Sequence, residues 1–170
     1  MLLSKQTFPA YKQYPEKVLQ FGEGNFLRCF VDWMFNELNK KANFNGSIVV
    51  VQPIDKGMVD MLNAQDGLYT VYLRGLQAGK VENYHETINV ISRGLNPYPQ
   101  FAEFLKTAEN PEMRFVISNT TEAGIAYQSA DKASDTPPSS FPAKLAVWLL
   151  HRYKTFNGDA AKGVHIIPCE

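Results

Sequence analysis

Apolar residues along the chain fall into short continuous runs separated by stretches of helical period. Val18-Leu19-Gln20-Phe21 and Ser47-Ile48-Val49-Val50-Val51-Gln52 are runs of the kind that a parallel strand carries when both its faces are covered. Arg114–Ser118 and Val164–Ile167 repeat that character further on. Between the first two runs, Phe26, Phe30, Trp33, Met34 and Leu38 keep i, i+4, i+7, i+8 spacing. That spacing predicts one helix over Asn25–Lys41 with this face buried, and with Asp32, Asn36, Asn39, Lys40 and Lys41 mostly outside. A short helical turn is expected over Met58–Leu62, and a helix over Gln100–Ala108 with Phe101, Phe104, Leu105 and Ala108 inward. A further helix begins after Ser140 as N-cap, with Pro142 in its first turn, and runs to Asn157-Gly158. Its expected buried stripe is Leu145, Trp148, Leu149 and Tyr153, which leaves His151, beside Arg152, outside. Two β-rich stretches, Leu68–Leu73 and Val81–Ile91, flank Gln77-Ala78-Gly79-Lys80 and predict a hairpin. Alternating strand and helix patterns with one hairpin give the fold class: α/β, a doubly wound, mainly parallel sheet with an inserted β-hairpin. Residues 1–16 read as an arm lying on the domain, and Ser129–Ser140 as a polar, mobile loop without core residues.

The first run ends in Phe21-Gly22-Glu23-Gly24-Asn25-Phe26-Leu27-Arg28, so a strand, a glycine turn and a helix follow in that order. This is the context of a dinucleotide-binding turn and makes the fold Rossmann-like. Gly22 allows the tight turn out of the strand. Gly24, without a Cβ, lets a pyrophosphate approach the backbone and the unpaired N–H groups at the helix start, where the dipole favours negative charge. Leu27 stands where a third glycine is usual. Asn25 can offer its amide to a phosphate, and Arg28 lies one turn beyond Gly24, within reach of an anion at the helix mouth.

At the end of the second strand an acid normally accepts from the adenosine ribose hydroxyls; here Gln52 and Pro53 stand at that point, with Asp55 and Lys56 next. Gln52 is the candidate for the ribose. Lys56 leaves a 2′-phosphate open, so residues alone do not decide between NAD and NADP. The strand at Arg114–Ser118 runs into Asn119-Thr120-Thr121-Glu122-Ala123-Gly124. Asn119 and Glu122 have the spacing of a helix cap, while the two threonines suit a ribose or carboxamide, and Asn119, Thr120 and Thr121 are candidate cofactor contacts. Lys144 lies in a first helical turn, where the dipole disfavours a cation, and calls for a local anion. His85 has no partner set and is assigned no role.

Composition narrows the class. With 170 residues, 45% apolar content and formal net charge +0, the chain is one ordered globular domain and not a nucleic-acid binder. No apolar run reaches the roughly 18–20 residues of a membrane span, and the N-terminus lacks the pattern of a signal peptide. Cys29 and Cys169 are in no metal-like or redox spacing and are expected as two buried free thiols of a cytoplasmic protein. No metal site and no proton-transfer constellation can be assigned.

FGEGNFLRCFVDW at Phe21–Trp33, DGLYT at Asp66–Thr70, NPEMRFVISNTTEAGI at Asn110–Ile125, FPAKL at Phe141–Leu145 and IIPCE at Ile166–Glu170 resemble the mannitol dehydrogenase family of long-chain polyol dehydrogenases over almost the whole chain. Asn25, Phe26 and Leu27 before the arginine are similar to its tagaturonate-reducing branch. Mannitol and fructuronate enzymes tend to carry alanine, phenylalanine and histidine there. The resemblance implies reversible NAD-linked reduction of D-tagaturonate to D-altronate in hexuronate catabolism, without a metal, with NAD on Gly22–Arg28 and approached by Asn119–Thr121. It also implies that the catalytic lysine, asparagine and histidine lie in a C-terminal helical domain. No position of this chain matches that motif. Residues 1–170 are therefore expected to be the NAD-binding N-terminal domain, which docks on its own C-terminal domain, takes a sugar-acid substrate only with it, and turns nothing over alone. The alternatives are a related polyol or fructuronate dehydrogenase and a stand-alone nucleotide-binding regulatory module.

Overall fold

The computed structural model describes residues 3–121 and 124–170. The first apolar run forms β1 (Glu16–Phe21), which leads through the glycine turn into α1 (Asn25–Cys29) and α2 (Val31–Lys41). There follow β2 (Ser47–Val51), α3 (Val59–Ala64), β3 (Tyr69–Gln77), β4 (Lys80–Ile88) and β5 (Ile91–Leu95). The chain closes with α4 (Phe101–Lys106), β6 (Phe115–Ser118), α5 (Phe141–Thr155) and β7 (His165–Pro168). Five strands make a sheet in the order β5-β2-β1-β6-β7, and every neighbouring pair is parallel. β1 is central, and Val18–Phe21 are buried on both faces of the sheet. The chain winds outward from it to β2 and β5, then returns across it to β6 and β7, so the winding reverses between β1 and β6.

The period-2 alternation of the central strands sends side chains into two cores. Val18, Ile48, Val50 and Ile117 meet Leu27, Val31 and Phe35 of the α1–α2 layer, together with Val59 and Leu62 of α3. On the other face Leu19, Phe21, Val49, Val51 and Val116 meet Phe104 and Trp148. The hairpin is a separate two-stranded sheet, β3 with β4, closed by a two-residue turn. Ala78 (φ 50°) and Gly79 (φ 78°) both take the left-handed conformation such a turn demands.

Four expectations require correction. The helix expected over Asn25–Lys41 is interrupted at Phe30, and its buried face is Leu27, Val31 and Phe35. Phe26, Phe30, Met34 and Leu38 instead stay between 40% and 50% exposed. Asp32 and Asn36, expected outside, are buried. Their partners explain the phase: Asp32 meets the Tyr69 hydroxyl, and Asn36 Nδ2 donates to Glu86 at 2.6 Å, so the hairpin draws this face inward.

The second β-rich stretch is not one strand to Ile91. β4 stops at Ile88, and Ile91–Leu95 joins the main sheet beside β2. On α5, Tyr153 is exposed, whereas Lys144 and Arg152 are buried. Arg152 donates to the carbonyls of Lys162, Ala108, Asn110 and Met113, at 2.7 to 3.1 Å, which makes its burial tenable. His151 is half-buried and pairs with Glu109 at 2.8 Å. Finally, both cysteines are free, but Cys29 is exposed and Cys169 only partly covered.

Candidate functional site

The winding reversal leaves a crevice of about 490 Å³ beyond the carboxyl ends of β1 and β6, where ligands lie in sheets of this kind. Its walls are Gly22, Glu23 and Gly24 after β1, Pro53, Ile54 and Met58 after β2, Asn119, Thr120 and Thr121 after β6, and Ser139, Ser140 and Phe141 at the start of α5. The two stretches singled out from sequence, about a hundred residues apart, thus face each other across one opening.

Gly22 has φ +118°, and a Cβ there would lie 3.3 Å from both the Asn119 carbonyl and Leu27 Cδ1. The position therefore requires glycine for its backbone and for the close approach of β6. Gly24 differs. It is the N-cap of α1 in an extended conformation (φ −70°, ψ 167°) with no side-chain cap, and a Cβ there would meet nothing within 4 Å. The space beside Gly24 and the uncapped first turn of α1 fit a pyrophosphate.

Other expected contacts point elsewhere. Phe21 is in the core, edge-on to Phe141 at 4.9 Å. Leu27 is buried against the Gly22 turn, and Phe26 is exposed beside Phe30. Arg28 turns back, its Nε donating to the Glu23 carbonyl at 2.9 Å and Nη2 to Asn25 Oδ1 at 2.5 Å. Gln52 is buried, with Nε2 donating to the carbonyls of Ile54 and Asp55, both at 2.8 Å, and Oε1 accepting from Val59 N. Its amide shapes the loop after β2 and is not free for a ribose. Gly57, which the sequence reading passed over, lies so close that a Cβ would fall 2.4 Å from Gln52 Cδ.

Asn119 is not a helix cap. Its Nδ2 donates to the Cys169 carbonyl at 2.6 Å, and Glu122 lies outside the described residues. Glu170 Oε1 accepts from Ser118 Oγ at 2.8 Å and from the backbone N–H and hydroxyl of Thr120. The end of β7 therefore holds the polar loop of β6 in place, a role for Glu170 that no local pattern announces.

At the α5 side, Asp131 accepts from the N–H and hydroxyl of both Ser139 and Ser140. The Ser140 and Ser139 hydroxyls hold its carboxyl well below the usual range. The loop read as mobile is thereby tied to the α5 N-terminus, where Ser140 Oγ accepts from Ala143 N at 3.3 Å. Lys144 donates to the Ser139 carbonyl at 2.7 Å and sits 4.9 Å over the Tyr98 ring. Among the described residues no carboxylate is hydrogen-bonded or ion-paired to it, and burial lowers its pKa from 10.5 to about 8 against the attraction of Asp131. Between these values the unfolded chain binds the extra proton, so stability rises with pH from about 8 to 10.5. Lys144→Met is expected to abolish that slope in urea unfolding series. A slope unchanged in the variant would place its origin elsewhere.

Among the described residues no group of three or more His, Cys, Asp or Glu side chains is placed to hold a metal ion, and no helix is long and apolar enough to cross a membrane.

Relatives place this geometry. The chain is 64% identical over 168 residues to the altronate oxidoreductase of Phocaeicola vulgatus and 63% to that of Bacteroides thetaiotaomicron. The altronate oxidoreductase of Bacillus subtilis is 48% identical. Each match covers 99% of this chain and 35% of the relative, so the chain spans about a third of their length. The fold matches Pseudomonas fluorescens mannitol 2-dehydrogenase, solved as a ternary complex with NAD and D-mannitol, at TM-score 0.78 and 21% identity over 99% of this chain and 38% of that one. A D-sorbitol dehydrogenase in substrate-free form matches at TM-score 0.75 and 20% identity, over 99% and 39%. Residues 16–170 match the model of the mannitol dehydrogenase Rossmann domain, and the chain belongs to that family.

Proposed function

We propose that this chain is the NAD-binding domain of an altronate oxidoreductase, acting in the cytoplasm on the interconversion of D-tagaturonate and D-altronate. The observation that carries the reading is the crevice itself: open space at Gly24, an uncapped α1 N-terminus and the Asn119–Thr121 loop meet at the winding reversal. Bound NAD would supply the hydride acceptor for the sugar-acid alcohol, and NADH the donor for the carbonyl.

The chain's own residues have separate tasks. Gly22 shapes the turn, and Gly24 leaves room for the pyrophosphate at the first-turn N–H groups. Thr120, Thr121 and Glu23 border the space for ribose and nicotinamide. Gln52, packed against Gly57, shapes the loop after β2 that supplies Pro53 and Ile54 to the crevice wall. No proton donor for the developing alkoxide is assigned among the crevice residues. That group, worth about 10²–10⁴-fold, is proposed to come from a region corresponding to the two thirds of the relatives' length that this chain does not span. The exposed stripe Phe26, Phe30, Met34 and Leu38 is the face on which that region docks.

The test is a fluorescence titration with NADH, paired with NADH oxidation by D-tagaturonate. NADH is expected to bind with Kd below about 1 mM, about −4 kcal/mol or better, without turnover by this chain and with turnover by a full-length relative. Absence of binding would remove the cofactor reading. Turnover by this chain alone would put the catalytic group within it.

A further inference from the structure

Glu23, between the two glycines of the turn, keeps only 9% of its surface exposed. No described residue donates a hydrogen bond to its carboxylate or forms an ion pair with it. The Arg28 guanidinium bonds the backbone carbonyl of Glu23 and the Asn25 side chain, not the acid. A carboxylate only accepts, and one withdrawn from water without a donor is costly to the fold. Its oxygens are not enclosed as Gln20 Oε1 and Asp32 Oδ1 are, and the open space that Glu23 borders is the crevice. The carboxylate therefore lacks donors on a side from which a ligand can bring them.

The side chain leans from the glycine turn toward the loop after β2. A Cβ on Gly57 would collide with Glu23 Oε1 and with the Gln52 amide together, so the carboxylate lodges beside Gln52 in room left by the missing side chain. That place has a chemical meaning. In sheets wound this way the adenosine half of a dinucleotide lies toward the second strand, and an acid at the end of that strand accepts from the ribose hydroxyls. Here β2 runs into Gln52, whose amide is committed to the carbonyls of Ile54 and Asp55 and to Val59 N. The strand brings no acid to its own end, and the glycine turn brings one there from the other side. Asp55 and Lys56, the charged residues of the loop, are exposed and opposite in sign, so the loop itself adds no net charge.

We propose that Glu23 is the specificity-determining acid of the cofactor site: its carboxylate accepts from the 2′- and 3′-hydroxyls of the adenosine ribose and rejects a 2′-phosphate by charge. The chain is thereby set for NAD and against NADP, a choice that the end of β2 leaves open. This inference rests on the proposed function, because it assigns a partner within the same crevice. In the free chain the acid lacks donors, and the two hydroxyls supply them.

Fluorescence titrations with NADH and NADPH, on the wild-type chain, Glu23→Gln and Asp55→Asn, test the assignment. Wild type should prefer NADH by about 100-fold, through a charge-assisted hydrogen bond on one side and like-charge repulsion on the other. Glutamine has the same shape without the charge. In Glu23→Gln, NADH affinity should fall about tenfold and NADPH affinity rise about threefold or more, leaving a preference within about threefold. Asp55→Asn should keep the wild-type preference. NADH lacking the adenosine 2′-hydroxyl should bind wild type about tenfold more weakly than NADH does, but Glu23→Gln less than about threefold more weakly, the mark of a direct pair. Since the fold gives the carboxylate no partner, Glu23→Gln should melt at no lower a temperature than wild type. A preference unchanged in Glu23→Gln, or one that moves with Asp55→Asn instead, overturns the assignment and leaves the cofactor reading standing. A lowered Tm in Glu23→Gln would mean that the fold itself uses the acid, and overturns it likewise. Binding of neither nucleotide to wild type removes the cofactor reading and this inference with it.

Discussion

Valine at Gly24 is expected to leave the chain folded and to lower its affinity for NADH by about 100-fold, or about 2.8 kcal/mol. The two halves of that expectation rest on separate observations. Gly24 has an extended backbone that a β-branched residue adopts readily, and a Cβ there meets no atom within 4 Å, so the fold loses nothing. The branched methyls would stand at the mouth of α1, in the room proposed for the pyrophosphate. Gly22→Ala is the contrasting variant: at φ +118° and 3.3 Å from the Asn119 carbonyl, its methyl strains the fold itself. Fluorescence titration and thermal unfolding of both variants separate the roles. Wild-type affinity in Gly24→Val would make the turn purely structural.

Truncating Trp148 should be the most destabilising single change in the second core, by about 3–5 kcal/mol. The ring is wholly buried among Phe21, Phe104 and Val116. Its Nε1 donates to Thr107 Oγ1 at 2.8 Å, and Arg152 lies 5.7 Å over it. Alanine would leave a cavity and would also loosen the neighbour on which four backbone carbonyls depend. Against a total stability of about 5–15 kcal/mol for a domain of this kind, much of the folding free energy would go. Trp148→Phe retains most of the volume and loses the hydrogen bond, a cost of about 1 kcal/mol. Urea unfolding read from Trp33, the one other tryptophan, measures both. A loss below about 1 kcal/mol for the alanine variant would mean that this core collapses around the gap.

What could be read from the sequence was what local chemistry decides. β1 and β2 are legible because strands covered on both faces are mostly apolar, and the turns at Gly22 and Ala78-Gly79 because left-handed backbone selects its residues. The phase of the α1–α2 layer was not legible. Leu27, Val31 and Phe35 form one apolar row, and Phe26, Phe30, Met34 and Leu38 form another one residue out of phase. Periodicity cannot choose between two such rows. The choice came from Tyr69 and Glu86, which reach across from the hairpin to Asp32 and Asn36. The burial of Lys144 and Arg152 was not legible for a related reason, since their partners are mostly backbone carbonyls that carry no sequence signal. β5 was missed because Ser92 and Arg93 interrupt its apolar run; at this edge they bond Glu16, with Arg93 Nε at 2.8 Å. In the crevice, the glycines and the threonine loop were found, while Gln52 is committed to nearby backbone carbonyls that carry no sequence signal and Asn119 to a segment distant in the chain.

The central position of β1 also sets an order of events during synthesis. Its neighbours are β2 and β6, with Phe21 paired to Val51 on one side and to Ser118 on the other. The glycine turn is synthesised well before the Asn119 carbonyl that meets it on the β6 side. At about 5–20 residues per second, that partner leaves the ribosome some 5–20 s after the turn does. Until then β1 has one free edge and no crevice beside it, and a nascent chain cannot be rescued by cofactor. Early arrest products should therefore depend on chaperones, however much NAD surrounds them, and the dependence should fall away once β6 has emerged.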